Sequence, residues 1–188
     1  MGRAPLIILS GPSGVGKSTV IQHLLADGSI PLRLSVSVTT RKPRPGEIEG
    51  RDYYFWDRPR FEQCLAENQF LEHAEVHGNY YGTLCDEVIP YCDGDTGVIL
   101  DIDVQGYNQV RRRCADYLSI FLCVPADRYE ARLRGRGSED EADIQRRLQT
   151  ARWEVAQADQ YMVQLVNDDL GETVSRIQQL IRDQFQPR

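Results

Sequence analysis

Three observations predict an α/β fold with a mostly parallel sheet. Short continuous apolar runs, Leu6–Leu9, Val98–Leu100 and Leu118–Val124, read as strands buried on both faces. Segments with helical spacing fall between or after such strands. A glycine-rich turn, Gly11 to Ser18, joins the first strand directly to the first helix. In sheets of this kind ligands bind outside the carboxyl ends of the strands. Two stretches interrupt the pattern and are expected to hang over that edge. One, roughly 35–96, is strand-rich; the other, roughly 126–150, is helical and basic.

The elements follow in order. A helix is expected over Gly16–Ala26, with Val20, Ile21, Leu24 and Leu25 on one face and Asp27-Gly28 and Pro31 ending it. Leu34–Thr40 alternates Leu34, Val36 and Val38 with Ser35, Ser37 and Thr39, which predicts one half-buried strand. A polar loop runs from Arg41 to Asp52, and Tyr53–Trp56 is a strand candidate. Asp57 can cap a short helix carrying Phe61 and Leu65. Phe70–Val76 and Tyr80–Leu84 flank His77-Gly78-Asn79 as a hairpin. Ser138 and Glu141 form a capping box for a long helix. Tyr161–Val166 is the last strand, although Gln160 and Gln164 make the stretch Ala158–Gln164 unusually polar. The final helix carries Val174, Ile177, Leu180, Ile181 and Phe185.

The 188 residues suit a single domain, 1–188, and hydrophobic (41%) and charged (27%) fractions are those of an ordinary globular protein. No apolar run is long enough to span a membrane, and Met1–Pro5 has no signal-peptide character. The odd, scattered set of five cysteines argues against a disulfide framework or zinc site and for reduced thiols in a cytoplasmic protein. A formal net charge of −6 disfavours a nucleic-acid polymer as partner. Local arginines still leave room for a small anion.

Gly11-Pro12-Ser13-Gly14-Val15-Gly16-Lys17-Ser18 fits G-x-x-x-x-G-K-[ST] at every fixed position, and Thr19 follows. Such a loop turns backbone N–H groups onto phosphate oxygens, and the helix after it adds the positive end of its dipole. Lys17 can reach the β- and γ-phosphates and Ser18 can ligate Mg²⁺. The motif specifies a nucleoside triphosphate but not a reaction.

Further motifs narrow the reaction. They are Ser35–Gly46, Gly50-Arg51-Asp52-Tyr53, Phe70-Leu71-Glu72, Gly78–Thr83, Val98–Gly106, Arg132–Gly137 and Val166–Leu170. With the P-loop, and in this order along nearly the whole chain, they resemble the guanylate kinase family. The resemblance implies a P-loop nucleoside monophosphate kinase fold with a five-stranded parallel core. Residues 1–34, 97–125 and 151–188 would form that core, 35–96 a GMP-binding insertion and 126–150 a mobile lid. It implies transfer of the γ-phosphate of Mg-ATP to GMP, with dGMP beside it, giving ADP and GDP in purine nucleotide metabolism and GMP recycling.

The candidate residues fall into groups. The forks of Arg41 and Arg44, three residues apart, suit a bidentate grip on one phosphate, and Tyr53 and Tyr81 can add hydroxyls. By resemblance these four bind the GMP phosphate. Glu72 offers two acceptors to the two donors of guanine, N1–H and the 2-amino group, where adenine would present a lone pair. Ser37 and Thr83 can complement O6, and the family places guanine at the same three positions. Asp101 ends a strand at the ligand edge, where it can hold Mg²⁺ through water or contact GMP; Asp103 follows it. By resemblance Arg136 and Arg147 are the catalytic lid pair acting with Lys17 and Arg44. Arg132, Arg134 and Arg146 are more solvated neighbours. Asn167 and Asp168 lie where the adenine of ATP is expected. His23, His73 and His77 form no site, and Trp56 and Trp153 are expected to pack.

Three other functions fit the residues less well. A binding scaffold of the same fold would lack the P-loop lysine and lid arginines, yet Lys17, Arg136 and Arg147 are present. A kinase for another phosphorylated acceptor would lack the set Ser37, Glu72 and Thr83. A GTPase would carry an N-K-x-D motif, which is missing. Oligomeric state is not readable from the residues.

Overall fold

The computed structural model describes residues 4–76, 78–134 and 141–185. Five parallel strands form the main sheet in the order β2-β7-β1-β8-β9. They are β1 (Leu6–Ser10), β2 (Leu32–Leu34), β7 (Gly97–Asp101), β8 (Leu118–Cys123) and β9 (Val163–Val166). Central β1 alternates its side chains between two cores. Leu6 and Ile8 pack with Val98, Leu100 and Phe121 under α4 (Val104–Arg113). Ile7 and Leu9 pack with Ile99, Ile120 and Leu122 under α1 (Lys17–Asp27) and α7 (Leu170–Gln184). Burial on both faces is why these strands read as unbroken apolar runs.

A second sheet, in the order β4-β3-β6-β5, stands above the carboxyl edge. It holds β3 (Val38–Thr39), β4 (Tyr54–Phe55), β5 (Phe70–Val76) and β6 (Asn79–Leu84). Its small core stacks Phe61 of α2 (Arg58–Ala66) between Phe70 at 4.3 Å and Tyr80 at 5.2 Å. Asp57 caps α2 as expected, its Oδ1 accepting from Arg60 N at 2.9 Å. The β5–β6 hairpin is antiparallel. His77 at its turn and Ser138 of the expected capping box lie outside the described residues. The short helix α3 (Ile89–Cys92) leads into β7, and α5 (Ala126–Arg134) and α6 (Glu141–Val155) follow β8.

The single strand expected over Leu34–Thr40 divides. Residues up to Leu34 pair with β7 in the main sheet, whereas Val38 and Thr39 pair with β4 and β6 in the second. The crossing is held by backbone bonds at both ends. Ser35 N donates to Ile99 O at 2.9 Å and Tyr54 N donates to Ser37 O at 2.9 Å. The apolar–polar alternation therefore spans two sheets rather than one face. The last strand begins at Val163, after a 3₁₀ turn over Ala158–Gln160. It is an edge strand with Gln164 and Val166 turned to solvent, which explains its polarity. Trp56 packs near Phe70, but Trp153 on α6 is 50% exposed, against expectation. Helix α4 adds to the expected elements, and Asp103 at its N-cap and Val104, Tyr107 and Val110 at helical spacing mark it.

Candidate active site

The phosphate loop leaves β1 between β7 and β8, and its glycines are set by space as well as by turn geometry. Gly11 has φ 143°, and a Cβ there would stand 2.1 Å from Leu122 O, backbone that cannot yield. Gly16 has φ 97° and opens α1 without a side-chain cap, leaving first-turn N–H groups for an anion. A Cβ on Gly16 would meet Asn167 Nδ2 at 2.6 Å. Asn167 is only 6% exposed and donates to Val15 O at 2.7 Å, so it braces the loop from beneath. Asp168 lies at the surface in an ion pair with Arg128. Tyr129 of α5 closes the other side, its hydroxyl donating to Ser13 O at 2.8 Å.

Lys17 Nζ donates to Gly11 O at 2.6 Å and stands 3.9 Å from Asp101 Oδ1 at the end of β7. Partial desolvation raises the Asp101 pKa, with Lys17 opposing, although 33% of its side chain stays exposed. Glu154 of α6 is also raised by burial; Lys17 opposes this and Asp103 adds to it. Glu154 thus lies near the same cation. The hydroxyl of exposed Ser18 and the Asp101 carboxylate are hard oxygen donors flanking Lys17. Mg²⁺ needs only one or two protein oxygens besides phosphates and water, so this pair fits it.

Across the cleft, the second sheet gathers Arg41, Tyr53 and Tyr81. Arg41 Nε donates to Tyr81 Oη at 3.3 Å, and its guanidinium lies 5.4 Å from the Tyr53 ring. Tyr53 meets Tyr81 edge-on at 6.0 Å. Burial raises the Tyr53 pKa, and the Asp101 charge adds to the effect, which places this cluster beside the core strand β7. The fork of Arg41 is engaged by Glu47, at 2.8 and 3.0 Å, and Arg44 N donates to the same carboxylate at 2.6 Å. These bonds hold the Glu47 carboxyl down at about 2 and raise the Arg41 pKa. The Arg44 side chain is exposed on the loop between β3 and β4.

Glu72 on β5 is 5% exposed and accepts from Thr83 Oγ1 at 2.6 Å across the hairpin. Burial lifts its carboxyl to about 7, Thr83 opposes this, and the Asp103 charge adds to it. An acid this deeply withdrawn is stabilised in its charged form by paired N–H donors. Ser37 is half-buried in the crossing between the two sheets.

The structure therefore joins Lys17 with Asp101, Arg41 with Tyr53 and Tyr81, and Glu72 with Thr83. Arg147 is half-buried on α6, and Arg136 lies outside the described residues. Sequence reasoning passed over Glu47, Tyr129 and Glu154 as contributors to these clusters. Glu47 could have been found from its place within the Arg-rich turn. Tyr129 and Glu154 are brought in by helix packing and carry no local signal.

A five-stranded parallel sheet with G-x-x-x-x-G-K-S between its central strand and a helix defines the P-loop class of nucleoside-triphosphate-binding proteins. Comparison with known proteins resolves the class further. The profile of the guanylate kinase family matches residues 3–184. Guanylate kinases of Nostoc sp. and Rubrobacter xylanophilus are 45% and 48% identical, covering 92% and 90% of this chain and 87% and 88% of theirs. The crystal structure of guanylate kinase from Anaplasma phagocytophilum matches with a TM-score of 0.80 at 31% identity, over 100% of this chain and 89% of that one. A shikimate kinase structure from Bacteroides thetaiotaomicron, 17% identical with a TM-score of 0.52, shares the fold alone. The chain belongs to the guanylate kinase family, whose members are nucleoside monophosphate kinases.

Proposed function

We propose that the chain transfers the γ-phosphoryl group of ATP to GMP, giving ADP and GDP, with dGMP as a second acceptor. The observation that carries this reading is the buried Glu72–Thr83 pair in a chain that also carries the phosphate loop. Glu72 accepts N1–H and the 2-amino group of guanine, and Thr83 and Ser37 complement O6. Arg41, Arg44, Tyr53 and Tyr81 take the GMP phosphate, which competes with Glu47 for the Arg41 fork. The triphosphate lies on Gly11–Thr19, with Asn167 and Asp168 flanking it. Ser18 and Asp101 are the residues that would hold Mg²⁺, which supplies charge neutralisation between the β- and γ-phosphates.

A GMP phosphate oxygen attacks the γ-phosphorus, and the bond from that phosphorus to the β–γ bridging oxygen breaks, releasing ADP. The attacking oxygen is already anionic, so positioning and positive charge matter more than a base. Lys17, Arg44, Arg136 and Arg147 supply that charge. Residues 126–150 act as a lid and 35–96 as the acceptor-binding insertion, both closing over the core 1–34, 97–125 and 151–188 to exclude water. The reaction suits the cytoplasm, where the five cysteines, none in a disulfide among the described residues, stay reduced. No described helix is long and apolar enough to cross a membrane. A coupled ADP-release assay with Mg-ATP and GMP, AMP, CMP or UMP tests the proposal. Turnover with GMP alone supports it; equal turnover with all four, or none, overturns it.

A further inference from the structure

We infer that helix α4 sets the position of the base-reading carboxylate, and that Gly106 is a positioning residue for guanine selectivity. Three residues on one face of α4 meet β5, the edge strand that carries Glu72. The amide of Gln109 pairs with the backbone of His73, next to Glu72, as a neighbouring strand would. Its Nε2 donates to His73 O at 2.6 Å, and its Oε1 accepts from His73 N at 3.2 Å. One turn on, Arg113 donates to Phe70 O at 2.5 Å and Leu71 O at 3.2 Å. One turn before Gln109, Gly106 faces Glu72 itself.

A Cβ at position 106 would stand 2.4 Å from Glu72 Oε2 and 3.1 Å from its Cδ. The strand cannot retreat, because Gln109 and Arg113 hold its backbone. The helix turn cannot retreat either, because Asp103 caps it through Gly106 N at 2.8 Å and Ile102 Cβ lies 3.3 Å from the same added atom. The atom that yields is the tip of the glutamate side chain. Such a movement is cheap for the fold but displaces the carboxylate from the place where Thr83 holds it. Alanine is otherwise better than glycine in a helix. The absence of a side chain at 106 therefore serves the carboxylate rather than the helix.

This inference rests on the reading of Glu72 as the guanine contact, and the test separates the two. Steady-state kinetics are measured for wild type, Gly106→Ala, Glu72→Ala and the double variant, with GMP and with inosine monophosphate, which lacks the 2-amino group. Gly106→Ala is expected to raise KM for GMP about tenfold or more and to bring kcat/KM for the two acceptors together. KM for ATP stays unchanged. In the double variant, alanine at 106 adds nothing to Glu72→Ala, because the clashing atom is gone. If Glu72→Ala narrows the acceptor preference while Gly106→Ala does not, the inference about Gly106 fails and the Glu72 reading stands. Equal losses from alanine at 106 with and without Glu72 also overturn it. If Glu72→Ala leaves the preference intact, the Glu72 reading itself fails. Should Gly106→Ala prove insoluble, Gln109→Ala adds no atom and loosens β5 instead. It is expected to shift GMP selectivity in the same direction with KM for ATP unchanged, and wild-type selectivity there overturns the inference.

Discussion

Replacing Glu72 with glutamine should make the protein more stable and a poorer reader of guanine, and the stability gain should grow with pH. Burial lifts the native carboxyl to about 7 from its ordinary 4.5. Between these values the unfolded chain releases its proton while the folded chain keeps it, so the wild type loses stability as pH rises through this window. Above about pH 7 both states are ionised and the loss is complete. At about 1.4 kcal/mol per pH unit, the penalty amounts to roughly 3 kcal/mol at about pH 8.5 and roughly 1 kcal/mol at about pH 5. Glutamine never ionises and is spared this cost. The difference between Glu72→Gln and wild type should therefore widen by about 2 kcal/mol from pH 5 to pH 8.5. For a chain of this size that is a further Tm gain of about 4–8 °C. Scanning calorimetry of both proteins at the two pH values measures it. A Tm difference that does not change with pH would refute the reasoning. In the same variant an amide N–H replaces one acceptor and faces a guanine donor, so kcat/KM for GMP should fall about 10² or more.

The remaining predictions are tested separately. Lys17→Ala should lower kcat by about 10² or more, because the proposed role of the lysine beside Asp101 is to stabilise the migrating charge; near-normal turnover would remove it from that role. Gly11→Ala places a Cβ 2.1 Å from Leu122 O at a φ of 143°, so equilibrium denaturation should show a loss above about 3 kcal/mol. Asn167→Ala deprives Val15 O of its buried donor, which should cost about 1–3 kcal/mol in chemical denaturation and raise KM for ATP with KM for GMP unchanged. Glu47→Gln loosens the Arg41 fork; measured GMP affinity should change while ATP affinity does not, and parallel changes in both would exclude a local effect.

Much of this molecule was legible in its residues because local rules and tertiary structure agree there. The buried runs at β1, β7 and β8 had to be strands covered on both faces, since unbroken apolar stretches of that length have no solvent side to offer. The phosphate loop was legible because its chemistry is backbone chemistry, written in glycine spacing and one lysine. Other features arise only when distant segments meet. Leu34–Thr40 alternates like one strand yet serves two sheets, because the crossing is stabilised by bonds to Ile99 and Tyr54, far away in the chain. Asn167 braces Val15 across 152 positions, where its place beyond the last strand suggested only a flank of the nucleotide. Glu72 could be named from its motif, but its raised pKa comes from burial, and the space for its carboxylate comes from Gly106 on another element. The sequence by itself determined the strand–loop–helix chemistry that grips a phosphate, because those interactions span a few residues. How far the Glu72 carboxylate is withdrawn from water, and what holds it, follow from the tertiary structure, because desolvation and close packing belong to the assembled fold.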